Sequence, residues 1–331
     1  MSAIVKGWCP TALRPMASGD GLLVRLRPRF GRLNPDDLDA LAALAMRHGN
    51  GLIDLTRRGS LQFRGLTQDS HQRFVEEALA EGLAERSDIA HRILVDPFGG
   101  SQALLTAAQL MAALAGWRLR DQLPTKMQFA IGAVDGDIVM APDGDPHEAL
   151  AFAEALITEG RKPVASSSSP RLPGQIADGF LIGAAFGRLE ASDLAALARL
   201  CRDEVFSEVR LTPWRQLLLA GASESVRHRA EALGFITSPD DPRLSIDACP
   251  GSPQCASSSV DTRALAISLS DHAKGRSIHV SGCAKGCARS ASADIVLTGR
   301  NARYDLIRNG RADSPPHLSE LEADAALRAI I

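Results

Sequence analysis

Shifted by 156 positions, part of this sequence falls on itself without a gap, and that duplication limits the folds open to the chain. "FGRL" at 30–33 returns at 186–189, and Asp37, Leu38, Ala40, Leu41, Ala42 and Leu44 return as Asp193, Leu194, Ala196, Leu197, Ala198 and Leu200. Leu55, Thr56, Leu61 and Gly65 return as Leu211, Thr212, Leu217 and Gly221. Each copy reads strand, helix, strand, turn, strand; in the first these are "GLLVRLRP", "NPDDLDALAALAMRH", "GLIDL" and "LQFRG". Asn34 has the short polar side chain that caps a helix, Pro35 suits its first turn, and Leu38, Leu41 and Leu44 recur at helical spacing. Two half-domains related by a pseudo-twofold axis follow. The copies differ at one turn: "TRRGSLQFRG" carries Arg57, Arg58 and Arg64, whereas "TPWRQLLLAG" carries Pro213, Trp214 and Arg215. One edge of the pair has kept a basic turn that the other has largely lost.

Between and after the copies lie two further segments. "LPTKMQFAIGAVDGDIVMAPDG" reads as a hairpin turning at Asp135 and Gly136, followed by a helix over about 147–158. "EGRKPVASSSSPRLPGQ" is a linker by composition. Further on, "VDTRALAISLS" reads as a helix, "SIHVSG", "ADIVLTG" and "YDLIRNG" as strands, and "PHLSELEADAALRAII" as a closing amphipathic helix.

Four cysteines sit in that last region: Cys249 and Cys255 in "ACPGSPQC", Cys283 and Cys287 in "SGCAKGC". Two loops that each supply two thiolates can enclose a cubane iron–sulfur cluster, and Gly251, Gly282 and Gly286 permit tight turns around it. Structural zinc favours two to four residues between paired ligands, so the wider first pair fits it poorly. A disulfide framework suits a small secreted chain, and six cysteines in 331 residues do not make one. Cys9 is left over, and Cys201, on an apolar helical pattern, reads as a buried small hydrophobe.

Composition narrows the function. A net charge of −2 argues against general nucleic-acid binding. No apolar run reaches the length of a membrane helix, and the opening residues show no export signal, so a cytoplasmic protein is expected. Only five of 37 basic residues are Lys, leaving 32 Arg; base composition of the genome accounts for most of that bias, yet Arg is also the side chain best suited to fork onto carboxylates. No G-x-G-x-x-G turn follows a strand, so the chain carries no dinucleotide motif of its own.

The two cysteine pairs, "TRRGSLQFRG", "LPTK" and the doubled half-domain together resemble the sulfite/nitrite reductase superfamily. The wording "ACPGSPQCASSSVDTRALA", "SGCAKGCARSASADIVLTGR" and "GWCPTALRPMASGDGLLVRLRP" is similar to its precorrin-3B synthase branch. The resemblance implies an α+β fold: a first ferredoxin-like half-repeat at 1–90, an α+β lobe at 91–165, a second half-repeat at 166–240 and an iron–sulfur lobe at 241–331. It implies a 4Fe–4S cluster on Cys249, Cys255, Cys283 and Cys287, and a mononuclear non-haem iron whose ligands the sequence does not name. It also implies oxygen-dependent hydroxylation and lactone formation on precorrin-3A, with molecular oxygen as co-substrate and a separate NADH-dependent reductase as electron donor.

By the same resemblance Arg58, Arg92 and Lys126 are the catalytic candidates, and with Arg64 they are the candidates for binding substrate carboxylates. Two positions depart from the superfamily: Ile93 follows Arg92 where an Asn is usual, and Gln128 stands where sulfite reductases carry a second lysine. His279 has two readings, an iron ligand or a strand histidine with its hydrogen bonds made. Two other functions compete: a siroheme-dependent nitrite or sulfite reductase, and a non-catalytic iron–sulfur electron carrier. Duplicated half-domains with a retained basic edge exceed what a carrier needs.

Overall fold

A computed structural model describes residues 8–160 and 171–331, so most of the predicted linker lies outside the described residues. The chain forms two compact units, one of Ala17–Leu22 with Ser238–Ile331 and the other of residues 8–16 and 23–237.

The larger unit holds both repeats apart from residues 17–22 of the first copy, which fall in the smaller unit. The first copy comprises β1 (Met16–Ser18), β2 (Gly21–Leu26), β3 (Arg32–Leu33), α1 (Pro35–His48), β4 (Leu52–Leu55), β5 (Leu61–Leu66) and α2 (Gln68–Ala80). A lobe follows with β6 (Ile93–Val95), α3 (Ser101–Gly116), β7 (Phe129–Ile131), β8 (Ile138–Met140) and α4 (Pro146–Glu159). The second copy supplies β9 (Gly174–Ile176), β10 (Gly179–Gly183), β11 (Arg188–Glu190), α5 (Ala191–Asp203), β12 (Glu208–Leu211), β13 (Gln216–Ala220) and α6 (Arg227–Ala232). As predicted, Asn34 caps α1, accepting from the N–H groups of Asp36 and Asp37 with Pro35 at the first turn. The equivalent helices α1 and α5 pack on each other, and Leu38, Leu41, Leu44, Leu194, Leu197 and Leu200 are all buried. Each such leucine contributes roughly 2 kcal/mol. Cys201 is fully buried where copy one has Ala45, and burial pushes its thiol up to about 12.

The two copies exchange strands. The sheets run β1-β2-β5-β4-β11 and β3-β12-β13-β10-β9, so each copy's short strand completes the other copy's sheet. Leu33 pairs with Val209 and Leu189 with Ile53, both antiparallel. The exchanged strands are the "FGRL" segments. Phe30 and Phe186 enter them at φ 56° and 55°, a conformation unusual for an aromatic residue and repeated at the matching position.

Each crossing strand carries an arginine to a carboxylate of the other copy. Arg32 Nη1 donates to both oxygens of Glu208, at 2.8 and 2.9 Å. Arg188 Nε donates to Asp54 Oδ1 at 2.9 Å, and Asp54 Oδ2 also receives Gln62 at 3.2 Å and Arg64 at 3.4 Å. Asp54 is thus the acid that neutralises two largely buried guanidiniums. Asp54→Ala is expected to lower stability by about 3–5 kcal/mol, because it strands buried charge; a urea unfolding curve measures this, and a loss under about 1 kcal/mol places the pair among weak surface bridges.

In the lobe, β6-β7-β8 form a three-stranded sheet against which α3 and α4 pack. The predicted hairpin is corrected here: β7 and β8 are parallel, with Phe129 opposite Ile138. The connection doubles back along β7, and the N–H groups of Asp137 and Ile138 both return to Gln128 O at 2.9 and 3.1 Å. Gly136 passes so close to Ala130 that a Cβ would collide with it. The predicted helix over 147–158 is α4.

The smaller unit carries β14 (Ile246–Ala248), α7 (Thr262–Leu269), β15 (Ile278–Ser281), β16 (Ala293–Arg300), β17 (Arg303–Gly310), β18 (Leu318–Leu321) and α8 (Ala323–Arg328) in one sheet ordered as numbered. β14, β15 and β16 are parallel, and the remainder antiparallel. The closing helix read from the tail is shortened to α8, because Leu318 and Leu321 instead pair with Leu306 and Tyr304 of β17.

Candidate functional site

In the smaller unit, β14 and β15 lie side by side with Ala248 opposite Val280. Both cysteine loops therefore leave from the carboxyl ends of neighbouring parallel strands, where open α/β sheets place ligands. Thr262 Oγ1 and Arg263 Nε donate to Cys249 O at 2.7 and 3.3 Å, and Cys255 N–H donates to Gly251 O at 2.7 Å. These bonds fix the first loop. Gly282 N–H donates to Cys249 Sγ at 3.1 Å, linking the two loops through a sulfur, and Gly282 must be glycine because a Cβ would collide with Ser258.

The topology brings the four thiols together: Cys287 feels the charges of Cys249, Cys283 and Cys255. Burial pushes the Cys249 thiol up, a penalty that a bound metal removes by taking it as a thiolate. Among the described residues no three His, Cys, Asp or Glu side chains converge on a point that would hold a single ion. In a cubane each cysteine takes a different iron, and the Gly282 N–H already aimed at Cys249 Sγ is the kind of contact that tunes such a cluster. Among the described residues no ligand set for a mononuclear iron is found.

His279 departs from its expected reading as a satisfied strand histidine. It is fully buried on β15, and both ring nitrogens lack a partner among the described residues. Asp247 lies opposite it in register, and a Cβ added at Gly286, in the second cysteine loop, would touch the His279 Cε1. Burial lowers its pKa to about 4.

In the larger unit a cleft of about 110 Å³ is lined by Cys9, Arg14, Arg25, Arg27, Arg58 and Arg92, with Asp88 as the one carboxylate among its lining residues. The turn that carries Arg58 is closed by Thr56 N–H donating to Ser60 O at 3.0 Å, with Gly59 left-handed at φ 59°. In the second copy Trp214 takes the place of Arg58 and stacks on Phe98, ring centroids 6.0 Å apart. The basic turn therefore belongs to one copy only, as the sequence predicts.

Arg27, 5% exposed, anchors the cleft. Its guanidinium donates to Gly59 O at 3.1 Å, His91 O at 3.1 Å and Ile93 O at 2.8 Å, and also to Arg58 O. Burial, then the neighbouring Arg58 and Arg25, lower its pKa to about 9, so it remains a cation at neutral pH. Arg25 Nε donates to Gln62 Oε1 at 3.0 Å; burial lowers its pKa, while contact with Cys9 opposes that shift. Arg58 Nη1 donates to Lys126 O at 2.8 Å and Arg92 Nη1 to Pro124 O at 2.9 Å. Two arginines thus grip the "LPTK" loop by its carbonyls, and each guanidinium has five donors, enough to hold an anion as well.

The candidates from the sequence separate here. Arg58 and Arg92 line the cleft; Lys126 contributes its carbonyl while its side chain is exposed and lies outside the lining. Arg64 is 2% exposed and faces Asp54, because it shares the Gln62 face of β5, where Gln62 pairs with Asp54. It does not line the cleft. Arg14, Arg25 and Arg27 were not singled out by sequence. The available signal was their spacing: Arg25 on β2 and Arg27 just beyond its end are two apart, the period that puts side chains on one face of extended chain, in an otherwise apolar segment.

His91, at the cleft wall, has its pKa lowered to about 3 by burial, then by Arg27 and Arg25. The folded state resists a proton that the unfolded chain accepts near 6.5, so this contribution to stability is complete above pH 6.5 and drains away as pH falls toward 3. The expected slope approaches about 1.4 kcal/mol per pH unit for one proton. A series of denaturation curves between pH 7 and 4 tests it, and His91→Gln is expected to flatten that series.

Residues 14–81 match the nitrite/sulfite reductase ferredoxin-like half domain. Across 96% of the chain and 85% of the relative, the sequence is 29% identical to a precorrin-3B synthase from Sinorhizobium sp. Across 95% of the chain and 84% of the relative, it is 24% identical to a ferredoxin–nitrite reductase from Synechococcus elongatus. The fold is similar to that of the Mycobacterium tuberculosis NirA protein, with a TM-score of 0.63, 15% identity, and coverage of 92% of this chain and 78% of that one.

Proposed function

For this relative of the sulfite/nitrite reductase superfamily we propose the activity of a precorrin-3B synthase: oxygen-dependent hydroxylation of precorrin-3A with lactone formation from its ring A acetate. The observation that carries this reading is a cleft holding five arginines against one carboxylate. Such an excess of fixed cation suits a ligand with several carboxylates, and Arg–carboxylate forks are the strong means of holding one. At about 110 Å³ the cleft is well below the roughly 300–1,000 Å³ of pockets that enclose a whole small molecule. It therefore receives one acid arm of the macrocycle.

In this mechanism Arg58 and Arg92 orient that arm, Arg27 holds the Arg58 turn in place, and Cys249, Cys255, Cys283 and Cys287 hold a 4Fe–4S cluster. When bound, the cluster supplies electrons one at a time. Two electrons and two protons accompany insertion of one oxygen atom, the other leaving as water. A separate NADH-dependent reductase is the proposed electron source.

The second reading, a siroheme-dependent nitrite or sulfite reductase, draws support from full-length similarity to a nitrite reductase. Reduction of those small anions consumes protons, which a lysine can give and an arginine, always charged, does not. Among the described residues no lysine lines the cleft, and Gln128 is buried. Anaerobic purification followed by iron, acid-labile sulfide and siroheme assays, then turnover of precorrin-3A with labelled oxygen, separates the readings. Label in the product is expected; siroheme in the extract with unlabelled, unchanged tetrapyrrole overturns the oxygenase.

A further inference from the structure

We propose that the groove between β8 and α4 docks an extended basic segment of a partner protein, added as a fourth strand to the lobe sheet. Among the described residues β8 is an edge strand, with β7 as its one neighbour. Ile138 N–H donates to Gln128 O at 3.1 Å and Met140 O accepts from Gly132 N–H at 3.0 Å. Both residues thus face β7, and alternation turns the Val139 N–H and C=O to the free side. Natural edges are blunted by short length, lysine, proline or a bulge; β8 is three residues long but reads Ile-Val-Met, with no lysine or proline. Its Val139 is 47% exposed, and across the groove Phe152 of α4 is 46% exposed. The space between them, about 530 Å³, is larger than the arginine cleft.

The rim says what kind of segment fits. Residues 127–160 contain no Lys or Arg but seven carboxylates. Asp145 and Glu148 line the groove, Asp143 adjoins it, and among the described residues none of the three has an ion-pair partner. This is an acidic border that awaits a cation from outside. A nucleic acid is repelled by it. A second copy paired edge to edge about a twofold axis would set the same acids against each other. An extended peptide with apolar residues facing Val139 and Phe152, flanked by Lys or Arg, satisfies the edge bonds, the apolar floor and the rim together.

The probe is a fluorescent seven-residue peptide alternating Lys with Val or Leu, titrated into the full-length protein, with a Glu-for-Lys peptide as control. Saturable one-to-one binding is expected, weakening with added salt and at least about tenfold in Phe152→Glu. Glu148→Arg, also exposed on α4, is expected to weaken it in the same direction; circular dichroism establishes that both variants fold. No saturable binding up to about 1 mM, equal binding of the Glu peptide, or binding unchanged in both variants overturns the proposal. So does sedimentation showing a dimer of this chain that Phe152→Glu abolishes, since the occupant is then a second copy.

Discussion

Cys249→Ala is expected to leave protein that purifies without iron, acid-labile sulfide or the broad visible absorption of a cluster. Cys249 is the most buried of the four thiols and the one whose sulfur receives the Gly282 N–H. Without it a cubane has three corners held and loses the contact that joins the two loops. Cys201→Ala supplies the contrast: that thiol is buried between helices of the larger unit, so its loss is expected to leave iron and sulfide unchanged. Retention of the full iron and sulfide content in Cys249→Ala would remove the cluster from the proposal altogether. Far-ultraviolet circular dichroism of the variant is expected to show most helix retained, since the larger unit carries the longest helices.

Arg58→Ala carries the second large effect. Turnover of precorrin-3A is expected to fall by at least about a hundredfold, with the cluster spectrum unchanged, because Arg58 belongs to the larger unit and the cysteines to the smaller. Arg58→Lys is expected to restore little, since an ammonium cannot reproduce the planar fork. Arg64→Ala gives the opposite pattern: its guanidinium faces Asp54, so stability falls while substrate affinity holds. Equal loss of turnover in both variants would show that the two arginines do one job, contrary to their placement.

The parts of this molecule that sequence made legible are those with a local rule. The cysteine loops follow from spacing, helix α1 from Asn34, Pro35 and the leucine period, and the one-sided basic turn from comparing the two copies. Arg58 and Arg92 came from resemblance, and both line the cleft. Arg25 and Arg27 were hidden because a strand two residues in period reads as apolar when Leu23, Val24 and Leu26 surround them; only pairing with the Arg58 turn gives them a task. The β7–β8 pair was misread because Asp135-Gly136 is a hairpin signal, whereas the chain here returns to Gln128 before resuming. His279 could not have been foreseen as partnerless, since a strand position fixes which way a ring points and not what it meets. The exchanged strands β3 and β11 are two and three residues long, too short for any periodicity.

That exchange has a consequence for how the molecule can be divided. A fragment ending before the second copy would expose β4 as a raw border and leave β3 reaching for a mate on another molecule. Two such fragments mixed together are expected to complement each other, whereas either one alone is expected to self-associate. Each half is thus obliged to the other, since β3 and β11 complete sheets to which their own copies do not otherwise contribute.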